Sequence, residues 1–294
     1  MIKFKDYVRA QSLEEAYTLC QKKRNVVLGG MLWLKMQRRN AGTAIDLCDL
    51  GLNYIEETPE EFRIGAMTTL RQLEKHDGLN SLTHHAMEES VKHIVGVQFR
   101  NVATLGGSLF GRFGFSDVLT LFQVLDAKVE LYHAGVMSVS AFAELPRKTR
   151  DILVQVIVPK KNASVAYQSM RNTATDFPVL TCAVSYDGSS CRCAVGARPA
   201  KASVIMDTQN LLKDGITENS AEAFAVWAAD QFTYGSNIRG SEGYRKKICQ
   251  VLVRRTLMEA AKKAESESKE LHNEIHEEIH YEINEEIHSA KKEI

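Results

Sequence analysis

The chain has 294 residues with 37 basic and 37 acidic side chains, so its formal net charge at pH 7 is zero. This balance argues against a nucleic-acid-binding protein, which usually carries a basic stripe, and no apolar run approaches the roughly 18 residues that span a bilayer. The hydrophobic content of 44% is that of an ordinary globular protein. The first six residues lack the apolar core of a signal peptide, so we expect a cytoplasmic protein.

The first 55 residues predict a small α+β unit. A short strand precedes a helix for which Ser12 and Glu15 form a capping box. A second strand, Val26 to Leu28, ends at the glycine pair Gly29 and Gly30, and a segment with helical spacing follows. A strand, a glycine turn and a helix start together form a geometry that presents backbone amides to a diphosphate.

Residues 56–162 predict a second unit of helices and strands. Helical patterns cover 69–73, 84–95 and 118–125, and strand patterns cover 128–132 and 151–158. Within this unit an extended apolar run enters the segment Thr104-Leu105-Gly106-Gly107-Ser108. Paired glycines leave backbone amides uncovered, so the two glycine turns could clamp one diphosphate from both sides. A Gly-Gly pair by itself is more often simply a tight turn.

From residue 163 the pattern changes to alternating strands and then to helices, which predicts a smaller antiparallel sheet with helices. The tail differs in kind, because an isoleucine recurs every four residues from Ile275 to Ile287. On a helix these isoleucines form a slowly drifting stripe that could pack on a partner or a symmetry mate. His276 and His280 lie one turn apart, but a solvated amphipathic helix is favoured over a metal site because no third ligand is fixed.

The six cysteines are scattered in apolar surroundings, which predicts reduced core thiols. Cys191 and Cys193 could share one face of a strand, yet zinc and iron–sulfur sites require a fuller set of ligands. The chain therefore cannot hold an iron–sulfur cluster by itself. His84, His85 and His93 form no compact ligand set with carboxylates, so ordinary surface or hydrogen-bonded histidines are favoured.

The ordered set of motifs resembles the FAD-binding medium subunit of the xanthine dehydrogenase and carbon monoxide dehydrogenase group of molybdenum hydroxylases. The first loop of that family reads approximately A-G-G-T-D-L and stands here as Leu28-Gly29-Gly30-Met31-Leu32-Trp33. The second reads T-I-G-G-N and stands here as Thr104-Leu105-Gly106-Gly107-Ser108. Further matching segments follow in the family's order: 63–70, 116–119, 125–131, 151–159, Arg171 with Asp176-Phe177-Pro178, 239–241, 244–245 and 251–255. The resemblance spans about residues 1 to 258.

This resemblance implies an α+β fold with a two-part FAD-binding domain of the PCMH type, followed by a smaller antiparallel-sheet-plus-helix C-terminal domain. The expected boundaries are 1–162 for the FAD-binding domain, with parts at 1–55 and 56–162, then 163–260, and a helical charged tail at 261–294. The resemblance also implies FAD-binding positions, and it predicts neither a catalytic residue nor a metal ligand in this chain. The expected FAD-binding residues are Val26, Val27, Leu28, Gly29, Gly30, Met31, Leu32, Trp33, Leu34, Thr104, Gly106, Gly107, Ser108, Phe110, Ser116, Asp117, Leu153 and Gln168.

The resemblance implies an oxidoreductase subunit that works in a heterotrimer, with a dimer of heterotrimers as one assembly. A partner subunit with a molybdenum cofactor oxidises the substrate, and a small partner with two [2Fe–2S] clusters conducts the electrons. They then reach FAD on this chain and pass to NAD⁺ or another acceptor. No nucleic-acid partner and no membrane span are expected.

Several positions leave alternatives open. Asp117 could cap the following helix, hydrogen-bond the ribityl chain of FAD, or do both, and Trp33 could lie against a cofactor ring or in the core. Gln168 stands where the family commonly has lysine, and the missing cation would make flavin reduction less favourable. Together with the bulky Met31–Trp33 loop, this motivates the alternative of a non-redox assembly or binding module with a degraded flavin site. A stand-alone flavin oxidase is disfavoured because neither glycine loop contains His or Cys.

Overall fold

The computed structural model, which describes the backbone of residues 1–290 and the side chains of residues 1–266, contains three sheets in that part of the chain. Three apolar clusters accompany them, and the largest extends from the second unit into the third, where it includes Val165 and Ala183. Helices pack on each sheet and bury apolar side chains. This combination of helices with parallel and antiparallel strands confirms the predicted α+β class.

The first unit is a three-stranded parallel sheet in the order β1-β3-β2. Its elements are β1 (Lys3–Arg9), α1 (Leu13–Cys20), β2 (Val26–Leu28) and β3 (Asn40–Asp46). Because the strands are parallel, their carboxyl ends meet at one edge of the sheet, where the first glycine pair follows β2. The helix predicted after these glycines is wrong beyond one 3₁₀ turn, Leu34–Met36. Met31 has φ +59°, which interrupts a right-handed helix at this point.

The cap of α1 follows the prediction in part. The hydroxyl of Ser12 accepts a hydrogen bond from the amide of Glu15 at 3.1 Å. The carboxylate of Glu15 accepts from the amide of Gln11 at 2.8 Å instead of returning to Ser12. One half of the predicted capping box is therefore present.

The second unit is a five-stranded antiparallel sheet, in the order β4-β5-β8-β6-β7, packed against short helices. Its elements are β4 (Ile55–Glu57), β5 (Glu61–Gly65), α2 (Leu70–Lys75), α3 (Asp77–Leu82), α4 (Ala86–Val91), α5 (Val97–Arg100), α6 (Leu105–Phe110), α7 (Asp117–Val124), β6 (Lys128–Leu131), β7 (Gly135–Ser138), α8 (Val139–Glu144) and β8 (Leu153–Pro159). All eight residues of α7 are buried, so this helix forms the centre of the unit.

Two predictions for this unit are wrong in detail. The helix predicted from position 84 begins at Ala86, because His84 and His85 both have left-handed backbones. The run before the second glycine pair is the short helix α5, not an extended segment. The second glycine pair itself lies in the first turn of α6, whose N-cap Thr104 accepts from the amide of Gly107 at 3.1 Å.

A buried ion pair joins α2 to α5. Glu74 accepts from Nε and Nη2 of Arg100 at 2.6 and 3.0 Å, and Arg71 lies 2.9 Å from the same carboxylate. Burial raises the pKa of Glu74, but hydrogen bonds from Arg100 and Arg71 outweigh burial and hold the pKa below its ordinary value of 4.5. Since bidentate arginine–carboxylate pairs fix geometry as well as charge, this pair sets the position of α5.

The depressed pKa of Glu74 predicts acid sensitivity. The carboxylate stabilises the fold fully above pH 4.5 and loses that contribution as the pH falls through its lower folded-state pKa. Glu74→Gln should cost about 1.5–3 kcal/mol at pH 7, and the difference from the parent chain should shrink on acidification. Urea unfolding at pH 7, 5 and 3.5 tests this, and a difference that grows towards low pH would contradict it.

The third unit is a four-stranded antiparallel sheet, in the order β12-β11-β10-β9, covered by two helices. Its elements are β9 (Ser164–Met170), β10 (Leu180–Tyr186), β11 (Cys191–Gly196), β12 (Ser203–Met206), α9 (Glu218–Gln231) and α10 (Glu242–Ala290). The side chains of the isoleucine stripe, His276 and His280 lie outside the described residues.

All six cysteines have free thiols, and five of them are buried. Cys191 and Cys193 both face the apolar cluster between the third sheet and its helices, together with Cys182 and Cys249. Burial raises the pKa of the Cys249 thiol to about 12 and also raises the pKa of Cys191. The thiols of Cys191 and Cys249 are therefore protonated at neutral pH.

Helix α7 connects the second and third units. Thr120 in α7 lies 2.8 Å from Thr181 in β10, hydroxyl to hydroxyl, and Gln123 donates to the carbonyl of Ala202 at 3.3 Å. These buried contacts hold β10 and the β11–β12 connection against α7. Within the described residues, no helix is both long and apolar enough to cross a membrane.

Candidate functional site

A cavity of about 360 Å³ opens where the three units meet. Its walls come from the loop after β2, from the segments around α5, α6 and α7, and from the β9–β10 connection. Most of the predicted cofactor positions line it: Val26, Val27, Gly29, Gly30, Met31, Leu32, Trp33, Leu34, Thr104, Gly107, Ser108, Phe110, Ser116 and Asp117. The volume falls in the range of small-molecule and cofactor sites, about 300–1,000 Å³.

The two glycine segments, far apart in sequence, touch each other in this cavity. A Cβ atom at Gly29 would lie 2.6 Å from Oγ1 of Thr104. A Cβ atom at Gly30 would lie 2.0 Å from the carbonyl oxygen of Val102. Glycine is therefore required at both positions by the close approach of the second segment.

The two segments differ in the backbone donors that they leave free. In the described chain the amides of Gly30, Met31, Leu32 and Trp33 donate to no protein acceptor. The amides of the second segment are occupied, because Leu105 donates to Thr68 and Gly106 to Ala66, both at 2.8 Å. The second segment therefore lacks the free amides of Leu105 and Gly106 that a two-sided clamp would need, and the free backbone donors lie in the first loop.

Aromatic side chains form one wall of the cavity. The ring of Trp33 lies 5.1 Å from Phe99, 5.1 Å from Phe177 and 5.9 Å from Phe115, centroid to centroid. Phe115 and Phe177 are themselves 4.3 Å apart. Trp33 is half-buried, so it packs on neighbouring rings and also offers apolar surface to the cavity. Such a wall suits a planar ring system, since tilted and stacked aromatic contacts are favourable.

Three of the eight non-glycine residues with positive φ in the described chain lie at or beside the cavity. Met31 and Val95 line it with φ values of +59° and +53°, and Arg112, next to the lining residue Gly111, has φ +43°. Left-handed backbone is costly for non-glycine residues, and most so for β-branched valine. Strain held in place at several points around one cavity is typical of a functional site.

Asp117 lies at the base of the cavity in a buried network. Ser116 caps α7, since its hydroxyl accepts from the amide of Leu119 at 3.1 Å, and Asp117 is the first helical residue. Oδ1 of Asp117 accepts from the Tyr167 hydroxyl at 2.5 Å and from Nη2 of Arg171. Burial raises the pKa of Asp117, while Arg171 and Tyr167 act in the opposite direction. In the described chain both side-chain donors of this network bond to Oδ1, and no side chain of another residue bonds to Oδ2.

His93 and Arg171 provide the titratable and cationic groups of the wall. Burial, followed by the charges of Arg171 and Lys92, lowers the pKa of His93 below 6.5, so this imidazole is neutral at pH 7. Arg171 is 8% exposed and paired with Asp117. Among the described residues, no group of three or more His, Cys, Asp and Glu side chains is arranged to hold a metal ion.

Four predicted positions lie outside this cavity. The side chains of Leu28 and Leu153 are each 4% exposed and belong to the apolar core. Gly106 packs on Ala66, whose Cβ atom would be 2.9 Å from an added Cβ. Gln168 donates to Glu259 of α10 at 2.8 Å and faces a neighbouring groove. Arg171, which directly follows β9, is therefore the cation from this part of the chain that lines the cavity.

The residue-level prediction missed several lining side chains, notably Phe99, Phe115, Arg171 and Phe177. Arg171 and Phe177 already belong to the resembling segments, so motif order was a signal for them. The clustering of Phe99 and Phe115 with Trp33 had no such signal. These rings come from separate segments, and only the packing of α5 and α7 brings them together.

Comparison with known proteins agrees with this geometry. Residues 2–161 match the family model described as the FAD binding domain in molybdopterin dehydrogenase. Residues 165–260 match the CO dehydrogenase flavoprotein C-terminal domain. The first match covers more than half of the chain and includes both glycine segments.

Similarity to known proteins also extends over most of the chain. The nicotine 6-hydroxylase medium subunit of Paenarthrobacter nicotinovorans is 27% identical over 277 residues, covering 86% of this chain and 96% of the relative. The glyceraldehyde dehydrogenase medium chain of Sulfolobus acidocaldarius is 25% identical over 278 residues, covering 87% and 98%. A chain of quinoline 2-oxidoreductase from Pseudomonas putida has the same fold, with a TM-score of 0.78 at 21% identity, covering 89% of this chain and 98% of that one. The chain therefore belongs to the FAD-binding domain family of the molybdopterin dehydrogenases, in the form that also carries the CO dehydrogenase flavoprotein C-terminal domain.

Proposed function

We propose that this chain is the FAD-carrying medium subunit of a molybdenum hydroxylase-type dehydrogenase. In this proposal it transfers electrons from the [2Fe–2S] clusters of one partner subunit to NAD⁺ or another acceptor, while a second partner with a molybdenum cofactor oxidises the substrate. The relatives named above are medium subunits of a hydroxylase and a dehydrogenase, which supports the assembly. The six free cysteines support a reducing compartment such as the cytoplasm.

The observation that carries the proposal is the junction of the two glycine segments inside an aromatic-walled cavity. The free amides from Gly30 to Trp33 would hold the diphosphate of FAD, as backbone nests do. Oδ2 of Asp117 would accept from a ribityl hydroxyl, and Trp33 with Phe177 would cover an apolar ring. Bound FAD supplies two-electron and one-electron chemistry, and the residues of this chain supply binding and orientation.

The charge near the flavin is assigned to Arg171 in this proposal. Gln168 faces Glu259, so a lysine there would form an ion pair with that carboxylate. Arg171 lines the cavity, although Asp117 compensates its charge. The absence of a lysine at 168 therefore weakens the cofactor site less than the sequence comparison implied.

The first test is the absorption spectrum of the purified chain, with the released cofactor identified after denaturation. We expect flavin bands and FAD in about a one-to-one ratio to protein, because the site is preformed. Loss of the flavin absorption bands on adding dithionite shows that the bound flavin can be reduced. Loss of the same bands on adding the reduced iron–sulfur partner then tests electron transfer between the subunits. A colourless chain that also fails to bind added FAD, alone and with its partner subunits, would support the assembly-module alternative.

A matched pair of glycine substitutions separates binding from folding. A Cβ atom at Gly107, which lines the cavity, would meet only Oγ1 of Thr104, at 3.1 Å, whereas one at Gly106 would lie 2.8 Å from the carbonyl oxygen of Ala66. Gly107→Ala should weaken FAD binding about tenfold, or about 1.4 kcal/mol, with little loss of stability. Gly106→Ala should instead destabilise the fold by about 1–3 kcal/mol. Fluorescence titration with FAD and urea unfolding measure the two effects, and identical behaviour of the two variants would refute the assignment.

A further inference from the structure

A strongly basic surface lies at the amino-terminal edge of the first sheet, opposite the glycine loop. We define it as the segments 22–24, 38–39 and 147–148 together with Lys3. Each of its eight residues is Lys or Arg, and all eight are exposed. The chain as a whole has zero net charge, so the cations are unevenly distributed over the molecule.

The backbone brings these segments together. The amide of Gly42 donates to the carbonyl of Arg24 at 2.7 Å, and the amide of Lys3 donates to the carbonyl of Arg39 at 3.0 Å. Arg150 links the segment 147–148, which precedes it in the chain, to the segment 22–24. Its guanidinium donates to the carbonyls of Lys22 at 3.0 Å and Lys23 at 2.7 Å. Parallel strands place their amino-terminal ends at one edge, so residues before β1, β2 and β3 gather there.

These cations lack partners within the described chain. None of the eight lies within ion-pair distance of a carboxylate there, and Arg39 donates instead to the amide oxygen of Gln37 at 2.8 Å. Arg150 is also bonded to backbone carbonyls alone. Eight exposed like charges repel one another and raise the local potential, which attracts an acidic surface.

The sequence contains an acidic segment of matching size. Positions 264–290 hold nine glutamates and one lysine. The backbone there belongs to α10, which continues to Ala290, so this segment is about 40 Å long at 1.5 Å per residue. Its net charge of about minus eight, with neutral histidines, is opposite to that of the basic surface.

We propose that the basic surface binds the acidic segment 264–290 of a second copy of this chain. The attraction is between exposed charges, so it depends on ionic strength: the screening length falls from about 10 Å at 0.1 M salt to about 3 Å at 1 M. The surface lies at the edge of the first sheet opposite the loop that follows β2. Val26 and Gln37 lie beside two of its segments and line the cofactor cavity, so self-association is measured separately from FAD binding.

Sedimentation of the full chain at 50 mM and 1 M salt tests the association. We expect a dimer, or a larger closed ring, at low salt, and a dissociation constant that rises at least about tenfold at high salt. A chain that ends at Lys263 should be monomeric at both salt concentrations. A full chain that is monomeric at 50 mM salt and micromolar concentration would overturn the proposal, as would a dimer that persists after truncation.

Charge exchange identifies the two surfaces. The triple variant Lys22→Glu, Lys23→Glu and Arg24→Glu should abolish the dimer, and adding Glu274→Lys, Glu278→Lys and Glu282→Lys should restore it. The matched control makes the same change in charge at exposed lysines elsewhere, Lys75→Glu, Lys128→Glu and Lys213→Glu, and should dimerise like the parent. FAD binding reports the fold of every variant. Loss of the dimer in the control, or failure of the exchange to restore it, would refute the pairing.

Discussion

Replacing Asp117 by alanine is expected to destabilise the flavin-free protein by about 3–5 kcal/mol, because the change leaves a buried guanidinium without its counter-charge. Arg171 is 8% exposed, and the Tyr167 hydroxyl bonded to the same oxygen is also buried. FAD affinity should fall as well, since the carboxylate lines the cavity. Urea unfolding and flavin titration measure the two losses.

Two further variants make the Asp117 prediction specific. Glu144 pairs with Lys201 at 3.0 Å but is 70% exposed, so Glu144→Ala should cost no more than about 1 kcal/mol. Combining Asp117→Ala with Arg171→Met should recover part of the lost stability, because apolar replacement of a whole buried pair is often neutral. If Asp117→Ala costs less than 1 kcal/mol, or if the second change lowers stability further, the buried pair does not hold the cavity base as we describe.

Gly30→Ala is expected to weaken FAD binding by at least about 100-fold, or about 2.7 kcal/mol. The added Cβ would stand 2.0 Å from the carbonyl oxygen and 2.6 Å from the carbonyl carbon of Val102, so the backbone must move. That movement separates the two glycine segments and displaces the free amides of the first loop. Stability should fall by about 1–3 kcal/mol, as for an overpacked core.

The control for Gly30→Ala is Gly243→Ala near the start of α10, where an added Cβ meets no atom within 4 Å. This control should leave FAD binding unchanged and keep or slightly raise stability, since alanine reduces the freedom of the unfolded chain. Isothermal titration with FAD and thermal unfolding provide the measurements. Retention of parental affinity by Gly30→Ala would show that the two segments need not touch to bind the cofactor.

The sequence by itself determined the family, the α+β class and the position of most cavity residues. These follow from local signals: the two glycine pairs, the hydroxyl of Ser116 at a helix start, and the order of motifs along the chain. Such signals can be read without the tertiary structure, because a cap, a turn or a close backbone approach restricts the residue type at one position. The strands around Val26–Leu28 and Cys191 were predictable from their short apolar and alternating runs.

The tertiary structure alone decided which donors remain free and which side chains face the cavity. The sequence shows two similar glycine pairs, but Thr68 and Ala66 take the amides of the second pair and leave only the first available. It gives no sign that Gln168 turns to Glu259 while Arg171 reaches Asp117. Nor does it show that Trp33, Phe99, Phe115 and Phe177 form one wall. These outcomes depend on contacts between residues far apart in the chain, and local propensity does not encode such contacts.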